Sequence, residues 1–249
     1  MRLPGAQRLA RAAALLRWRE FALAPLRCPY CGPSALVRLR RDEIGVRCVR
    51  CGASSVHLAI GAALRELVGA LSARDVCELS ARGPLAKHLR RHARSVALSE
   101  FFADVDAGTE RAGVRCEDVQ RLSYADASFD VITHTEVMEH VPDDARAYAE
   151  LRRVLRPGGV MLFTVPLHDA LETIERAHFR GGAIEHRLAP AYHGDPLRDG
   201  ARILVYRDYG RDILQRLARA GFIEARLYTP ALDLPLTPLR SVVFARAPA

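Results

Sequence analysis

From about residue 70 onward, the chain alternates short apolar runs with stretches in which apolar residues recur every three or four positions. The short runs predict buried strands, and the second pattern predicts amphipathic helices. Strands are predicted at 75–79, 95–100, 113–118, 129–136, 160–166, 224–230 and 241–247, and helices at 84–92, 142–155 and 210–222. Strands that alternate with helices in this way are typical of an α/β domain with a mainly parallel sheet.

The first 60 residues follow a different pattern. Apolar residues at helical spacing, with arginines between them, predict an N-terminal helix at residues 1–26. This stretch superficially resembles an organellar transit peptide, but Trp18 and Phe21 continue directly into the next module, which favours a packed helix. We therefore divide the chain into the helix at 1–26, a cysteine module at 27–60 and an α/β domain at 61–249.

The cysteine module contains two C-x-x-C pairs, with Cys28 and Cys31 in "CPYCG" and Cys48 and Cys51 in "CVRCG". Four thiolates from two tight turns match a structural zinc site, which leaves no open position for water. The residues between the pairs alternate around a turn near 42–45, so the module is predicted to be a zinc ribbon. The alternative is a pair of disulfides in a secreted domain. No secretory signal precedes the cysteines, so we expect zinc and a reducing, cytoplasmic location.

The net charge of +8 is concentrated at the N-terminus. Residues 1–60 carry 11 arginines against 3 acids, whereas residues 61–249 are neutral. A basic face attracts phosphate or other anions, but a solvated charged surface explains the same excess. Arginines interrupt each apolar run before it reaches the ~18 residues of a membrane span, so we expect no membrane association.

Two segments indicate a family. They are "FDVITHTEVMEHVPD" at 129–143 and "LRRVLRPGGVMLFTVP" at 151–166, and they resemble the class I S-adenosylmethionine-dependent methyltransferases of the small-molecule type. The resemblance covers roughly residues 70–245. It implies a Rossmann-like methyltransferase fold, with a mostly parallel seven-stranded sheet and helices on both faces, and S-adenosylmethionine as the cofactor.

The resemblance also implies roles for residues at the ends of four predicted strands. Glu78 lies near the amino end of the cofactor's methionine, and Glu100 accepts hydrogen bonds from both ribose hydroxyls, for which the two oxygens of one carboxylate are suited. Asp118 and the backbone of Val119 contact the adenine amino group, and Thr135 lies toward the methionine moiety. Each acid could instead cap the helix that follows it.

The loop after the first strand departs from the family pattern E-x-G-x-G-x-G, because Ser80, Arg82 and Pro84 occupy the glycine positions and Gly83 is shifted by one. In one interpretation Gly83 makes the turn, Pro84 starts the helix, Ser80 donates a hydroxyl and Arg82 pairs with the cofactor carboxylate. In the other, the side chains at 80 and 82 occupy the cofactor's place and the domain only binds a partner.

An insertion at about 167–200, after the fifth strand of this domain, is where an acceptor pocket is expected. His193, flanked by Asp195, is the predicted catalytic base, because histidine titrates near neutrality and a carboxylate can tune it. A histidine in such a loop could also simply bond to its own turn. His168 is the second candidate, and His140 is assigned a packing role.

The sequence therefore predicts an S-adenosylmethionine-dependent methyltransferase that acts on a small-molecule or sugar-like acceptor. One alternative is an RNA or protein methyltransferase that docks its substrate on the basic ribbon. Few aromatic residues are arranged for base stacking, so nucleic acid is not favoured as a partner. The other alternative is an adaptor without catalysis. The oligomeric state is not readable from the sequence.

Overall fold

A small antiparallel sheet begins the described part of the chain. The computed structural model describes residues 20–40, 45–195 and 201–249. The small sheet contains β1 (Ala22–Cys28), β2 (Gly32–Arg38) and β3 (Val46–Cys48) in that order, and helix α1 (Ser55–Leu67) follows it. The buried side chains of Leu26 and Leu36 share a hydrophobic cluster with Leu58 of α1 and Leu234 near the C-terminus. The small sheet is therefore packed onto the rest of the chain.

The central sheet has eight strands. They are β4 (Asp75–Glu78), β5 (Ser95–Glu100), β6 (Glu110–Arg111), β7 (Val114–Cys116), β8 (Phe129–Thr135), β9 (Leu155–Thr164), β16 (Glu224–Tyr228) and β17 (Val242–Arg246). Their spatial order is β16-β17-β9-β8-β4-β5-β7-β6. The five strands from β9 to β7 pair in parallel, and the other three strands pair antiparallel. This confirms the predicted α/β fold with a mostly parallel sheet.

The sheet is buried on both faces because apolar residues such as Val131 and Ile132 occupy successive central positions of its inner strands, as is typical of parallel strands between two helix layers. Successive residues point to opposite faces. On β8, Ile132 belongs to one core cluster and Val131 to the other. Helices α3 (Asp144–Val154) and α4 (Ile213–Arg219) cover the first face, and α1 and α2 (Gly83–His92) cover the second. No helix in the described ranges has the length and apolar character needed to cross a membrane.

The segment between β9 and α4 forms three small antiparallel ladders. Their strands are β10 (Ile174–Glu175) with β15 (Arg207–Asp208), β11 (Ala177–Arg180) with β12 (Ala183–His186), and β13 (Tyr192–Asp195) with β14 (Ala201–Leu204). The insertion was predicted at about 167–200, and its ladders extend to Asp208. It follows β9, so it begins at the carboxyl edge of the parallel strands.

The structure differs from the sequence predictions in four places. The sheet has an eighth strand, β6, which is two residues long and pairs antiparallel with β7. Strand β9 begins at Leu155, so Pro157, Gly158 and Gly159 lie inside the strand instead of before it. Helix α1 crosses the predicted boundary between residues 60 and 61.

The fourth difference concerns the N-terminus. Residues 1–19 of the predicted helix at 1–26 lie outside the described residues. Residues 22–26 belong to β1, where they pair with β2. The ribbon therefore starts before residue 27, because these residues extend its hairpin.

Candidate functional site

The parallel strands bring the predicted cofactor residues to one edge of the sheet. Glu78 ends β4, Glu100 ends β5, and Thr135 ends β8, while Asp118 and Val119 lie two and three residues after the end of β7. In open α/β sheets this carboxyl edge is where ligands bind. The described geometry therefore gathers the residues that were selected one by one along the sequence.

Glu78 is almost fully buried at this edge, with 1% of its surface exposed. Oγ1 of Thr133, on the neighbouring strand β8, donates a hydrogen bond to its Oε2. Burial raises the pKa of Glu78 to about 8, and the negative charge of Glu100 adds to the increase. The carboxyl group therefore ionises readily only when a cation comes close to it.

Glu100 lies beside the loop that connects β4 to α2. Its Oε1 accepts a hydrogen bond from the backbone amide of Ala81 at 3.0 Å and another from Ser80 Oγ at 3.4 Å. The carboxylate thus fixes the loop on the tip of the neighbouring strand. Glu100 is partly buried, whereas Glu78 is fully buried.

The loop at 80–83 has the backbone expected of a tight turn. Gly83 has a φ of +93°, which favours glycine, and Pro84 lies in the first turn of α2. Ser80 Oγ is engaged within the protein, because it donates to the carbonyl of Arg82 at 3.3 Å as well as to Glu100. Arg82 is exposed. The turn and the helix start agree with the first interpretation, and the roles of both side chains toward a cofactor stay predictions.

His57 in α1 is a neighbour of this loop that the sequence analysis missed. A Cβ atom on Gly83 would lie 3.6 Å from its Nε2. Its Nδ1 is 2.7 Å from Ser54 Oγ, and burial lowers the pKa of the ring to about 4. The ring is therefore neutral at physiological pH. No sequence signal pointed to it, because the contact joins two separate modules.

Asp118 has a local structural role. One carboxylate oxygen accepts hydrogen bonds from the backbone amide of Gln120 at 2.9 Å and from its side-chain amide at 3.1 Å. Val119 is buried, with 8% of its surface exposed. The adenine contacts assigned to these two residues remain predictions. Asp118 also stabilises the turn that follows it through hydrogen bonds, as aspartate commonly does in turns.

Two histidines of the acceptor side, His193 and His140, lie next to each other. His193, in β13, has its Nδ1 3.2 Å from Nε2 of His140 and 3.6 Å from Oε1 of Glu139. The nearby Glu139 carboxylate raises the pKa of His193, against the opposing effect of partial burial. The carboxylate that the structure describes beside His193 is therefore Glu139, and the side chain of Asp195 lies outside the described part of the chain. His140 was assigned to packing, but the fold brings its ring to His193.

His168, the second candidate for the base, lies apart from this cluster. It is exposed, and its backbone amide donates to the carbonyl of Tyr209 at 2.8 Å. A cleft of about 320 Å³ lies instead beside the 3₁₀ turn that follows β8. It is lined by Pro142, Asp143, Asp144, Glu175, His178, Phe179 and Arg207. Four of these residues, Glu175, His178, Phe179 and Arg207, belong to the insertion.

The four cysteines of the ribbon converge. The sulfur atoms of Cys28 and Cys51 are 3.6 Å apart, as are those of Cys31 and Cys48, and all four lie within 4.8 Å of one another. All four are free thiols. Sulfur atoms around a tetrahedral zinc ion, with Zn–S bonds of about 2.3 Å, are about 3.8 Å apart. The donor set therefore fits zinc in both chemistry and spacing.

The described fold is an α/β domain whose mainly parallel sheet carries acids at the carboxyl ends of two neighbouring strands. Residues 62–163 match the family model described as "Methyltransferase domain", so this part of the chain is similar to methyltransferase domains.

Three relatives share parts of the chain. An uncharacterized 37.1 kDa protein in transposon TN4556 of Streptomyces fradiae is 29% identical over 61% of this chain and 38% of its own length. A ubiquinone biosynthesis O-methyltransferase of Coxiella burnetii is 31% identical over 33% of this chain and 38% of its own length. A crystal structure of an S-adenosylmethionine-dependent methyltransferase from Mesorhizobium loti has 20% identity, a TM-score of 0.45 and coverage of 74% of this chain and 95% of that one. The chain thus spans 38% of the length of each of these two curated relatives.

Proposed function

We propose that the chain transfers a methyl group from S-adenosylmethionine to a small-molecule acceptor. The observation that carries the proposal is the pair of acids on neighbouring parallel strands, Glu78 on β4 and Glu100 on β5, with a Gly83 turn between them. The matched methyltransferase domain spans all three residues.

In this proposal each acid has a separate task. The cofactor's amino group lies near Glu78, where a positive charge favours the ionised carboxylate, since burial alone opposes it. Glu100 accepts hydrogen bonds from the ribose hydroxyls, while its Oε1 retains the hydrogen bond from the backbone amide of Ala81. We assign Asp118 and Val119 to the adenine and Thr135 to the methionine moiety. The ribbon, which we propose to hold zinc through its four cysteines, has a structural role.

Methyl transfer is an in-line displacement at the carbon attached to a sulfonium, so the protein has to align the acceptor and accept any proton that it loses. We place the acceptor between the insertion and the edge of the sheet, with His193 as the base. The relative from Coxiella burnetii, named as an O-methyltransferase of ubiquinone biosynthesis, supports a small acceptor with a hydroxyl group.

Calorimetric titration with S-adenosylhomocysteine tests the cofactor site. The wild type is expected to bind one equivalent, and Glu100→Gln to bind at least ~10-fold more weakly, because hydrogen bonds to a charged acceptor contribute about 1.5–3 kcal/mol. Glu110→Gln, which changes an exposed acid on the edge strand β6, serves as the control. If millimolar ligand gave neither heat nor a thermal shift, only the alternative of an adaptor without catalysis would remain.

A second experiment separates the acceptor classes. Binding of RNA to the full chain is measured at increasing salt concentration, because phosphate contacts release counterions. A small-molecule enzyme is expected to show weak binding that does not change when S-adenosylhomocysteine is added. Tight, salt-sensitive RNA binding would favour the RNA methyltransferase instead.

A further inference from the structure

Three potential metal ligands meet where the chain leaves the central sheet. Glu139 and His140 lie in the 3₁₀ turn Met138–His140, which follows β8, and His193 lies in β13 of the insertion. Oε1 of Glu139, Nε2 of His140 and Nδ1 of His193 all lie within 4.8 Å of one another. The sequence separates the turn from the strand by about 50 residues, so only the fold brings the three groups together.

Glu139 is the unusual member of the cluster. Its side chain is 2% exposed, and neither Oε1 nor Oε2 has a hydrogen-bond partner among the described residues. A buried carboxylate without partners is costly, so native structures pair such groups with a cation or with hydrogen bonds. Both histidine nitrogens are 3.6 Å from Oε1, which is too long for a good hydrogen bond. Within residues 20–40, 45–195 and 201–249, the carboxylate therefore has no cation at bonding distance.

His140 is oriented as a metal ligand would be. Its Nδ1 lies 2.8 Å from the carbonyl oxygen of Leu204, which can only accept a hydrogen bond. Nδ1 therefore carries the proton, and in the neutral ring the lone pair is on Nε2, the atom that faces the cluster. A backbone carbonyl on the second ring nitrogen is the arrangement that fixes the tautomer of metal-binding histidines.

The distances between the three atoms fit one ion. His140 Nε2 and His193 Nδ1 are 3.2 Å apart, and each is 3.6 Å from Glu139 Oε1. Ligand atoms about 2.1 Å from a common ion are about 3.4 Å apart in tetrahedral geometry and about 3.0 Å apart in octahedral geometry. The observed set is therefore closer to the tetrahedral case.

We propose that Glu139, His140 and His193 form a second metal site, which binds a divalent transition-metal ion of zinc type. Two imidazoles and one carboxylate are suitable ligands for such an ion. Three protein ligands leave a fourth position open, in contrast to the closed set of four cysteines in the ribbon. The side chain of His193 is 44% exposed, so one ligand of the proposed site reaches the protein surface.

The site also suggests the acceptor class, and this part rests on the proposed function. With the metal bound, His193 would act as a ligand in place of the base, and a hydroxyl oxygen in the open position would lose its proton to solvent more readily, because a bound cation lowers its pKa. That oxygen forms the new bond to the methyl carbon while the sulfur–carbon bond breaks, and sulfur keeps the electron pair. An acceptor with a hydroxyl group that can coordinate the metal is therefore expected.

Metal binding is tested on the purified full chain after removal of weakly held metal with a mild chelator. A titration with zinc alone, monitored by calorimetry, is expected to show one binding site besides the four-cysteine site of the ribbon. Glu139→Gln and His193→Asn should each weaken that site at least ~100-fold. His186→Asn, which changes an exposed histidine of β12 in the same insertion, is the matched control and should bind as the wild type does. Equal zinc binding by all four proteins overturns the proposal.

Cobalt substitution of the wild type keeps the test independent of the variants' folding. X-ray absorption of the wild type with two equivalents of cobalt should show one ion with nitrogen and oxygen ligands beside one with sulfur ligands. Sulfur ligation alone overturns the metal site and leaves a protonated His193 paired with Glu139. Binding of S-adenosylhomocysteine is measured on the same sample, so a failure of the cofactor site is distinguishable from a failure of the metal site.

Discussion

Thr133 donates a hydrogen bond from its Oγ1 to the buried carboxyl group of Glu78 across the pair of strands β8 and β4. The pKa of this carboxyl group is nevertheless raised to about 8, because the effect of desolvation is larger than that of the single hydrogen bond. In the ligand-free protein Glu78 is therefore largely protonated at pH 7. A ligand that brings an ammonium group to this position has to remove that proton.

This gives a pH dependence for cofactor binding. The carboxylate form binds the ammonium group, so affinity should rise with pH up to about pH 8. Between pH 6 and pH 7.5 the dissociation constant of S-adenosylhomocysteine should fall by about tenfold per pH unit, since one proton is released per ligand. Glu78→Gln should remove the dependence. A flat profile in the wild type, measured by calorimetry, would contradict the assignment of Glu78.

The ionisation of Glu78 also affects stability. The raised folded pKa means that the folded state holds a proton that the unfolded state, with a pKa near 4.5, has lost. Glu78 therefore makes the free energy of unfolding fall as the pH rises from about 4.5 to about 8. Urea unfolding at several pH values should show this slope in the wild type, and a smaller slope in Glu78→Gln.

Substitution of Arg82 distinguishes the two interpretations of the glycine-poor loop. If the exposed guanidinium pairs with the cofactor carboxylate, Arg82→Gly should weaken binding of S-adenosylhomocysteine by about tenfold, and Arg82→Lys should restore it only in part. If the side chain occupies the cofactor's volume, Arg82→Gly should strengthen binding instead. The control is Arg90→Ala, which removes an exposed arginine from α2. Alanine is used there because glycine inside a helix would destabilise it.

Loss of one ribbon cysteine should remove zinc and destabilise the N-terminal module. A ribbon this small buries little apolar surface, so its folding depends on the metal. Cys51→Ser is expected to lose the tightly held zinc, as measured by elemental analysis, and to become sensitive to proteolysis near the N-terminus. Cys116→Ala, which removes a buried thiol from β7, should keep its zinc. Less than half an equivalent in the wild type would refute the zinc assignment.

Arg207 should be the residue of the insertion on which stability depends most. It is 3% exposed and donates to the carbonyl oxygens of Met138, Val141 and Pro142, and its Nε lies 3.2 Å from Glu175. It therefore fastens the 3₁₀ turn to β15. Arg207→Met should lower the free energy of unfolding by about 3 kcal/mol, because it leaves buried acceptors without a donor.

The control for this prediction is Arg202→Met, which removes an exposed arginine from β14 of the same insertion. Chemical denaturation followed by far-UV circular dichroism measures both variants. An equal loss in the two would mean that the network around Arg207 contributes nothing beyond an ordinary surface arginine.

The sequence alone determined the strands of the central sheet and the strand-end acids. The apolar runs that became β4, β5, β8 and β9 were recognisable because parallel strands are buried on both faces. Cysteine spacing predicted the convergence of the four thiols, because each pair is held by a local turn. In each case the information lies within a few neighbouring residues, where periodicity and turn chemistry operate.

Only the tertiary structure decided the contacts between distant segments. The meeting of His193 with Glu139 and His140 depends on how the insertion folds back onto the turn after β8, and the contact of His57 with the Gly83 loop depends on how the ribbon packs. Neither leaves a local pattern, because side chains from separate segments need no common spacing. The raised pKa of Glu78 likewise depends on burial beneath its neighbours, which is a property of the packed sheet and not of the residue's place in the chain.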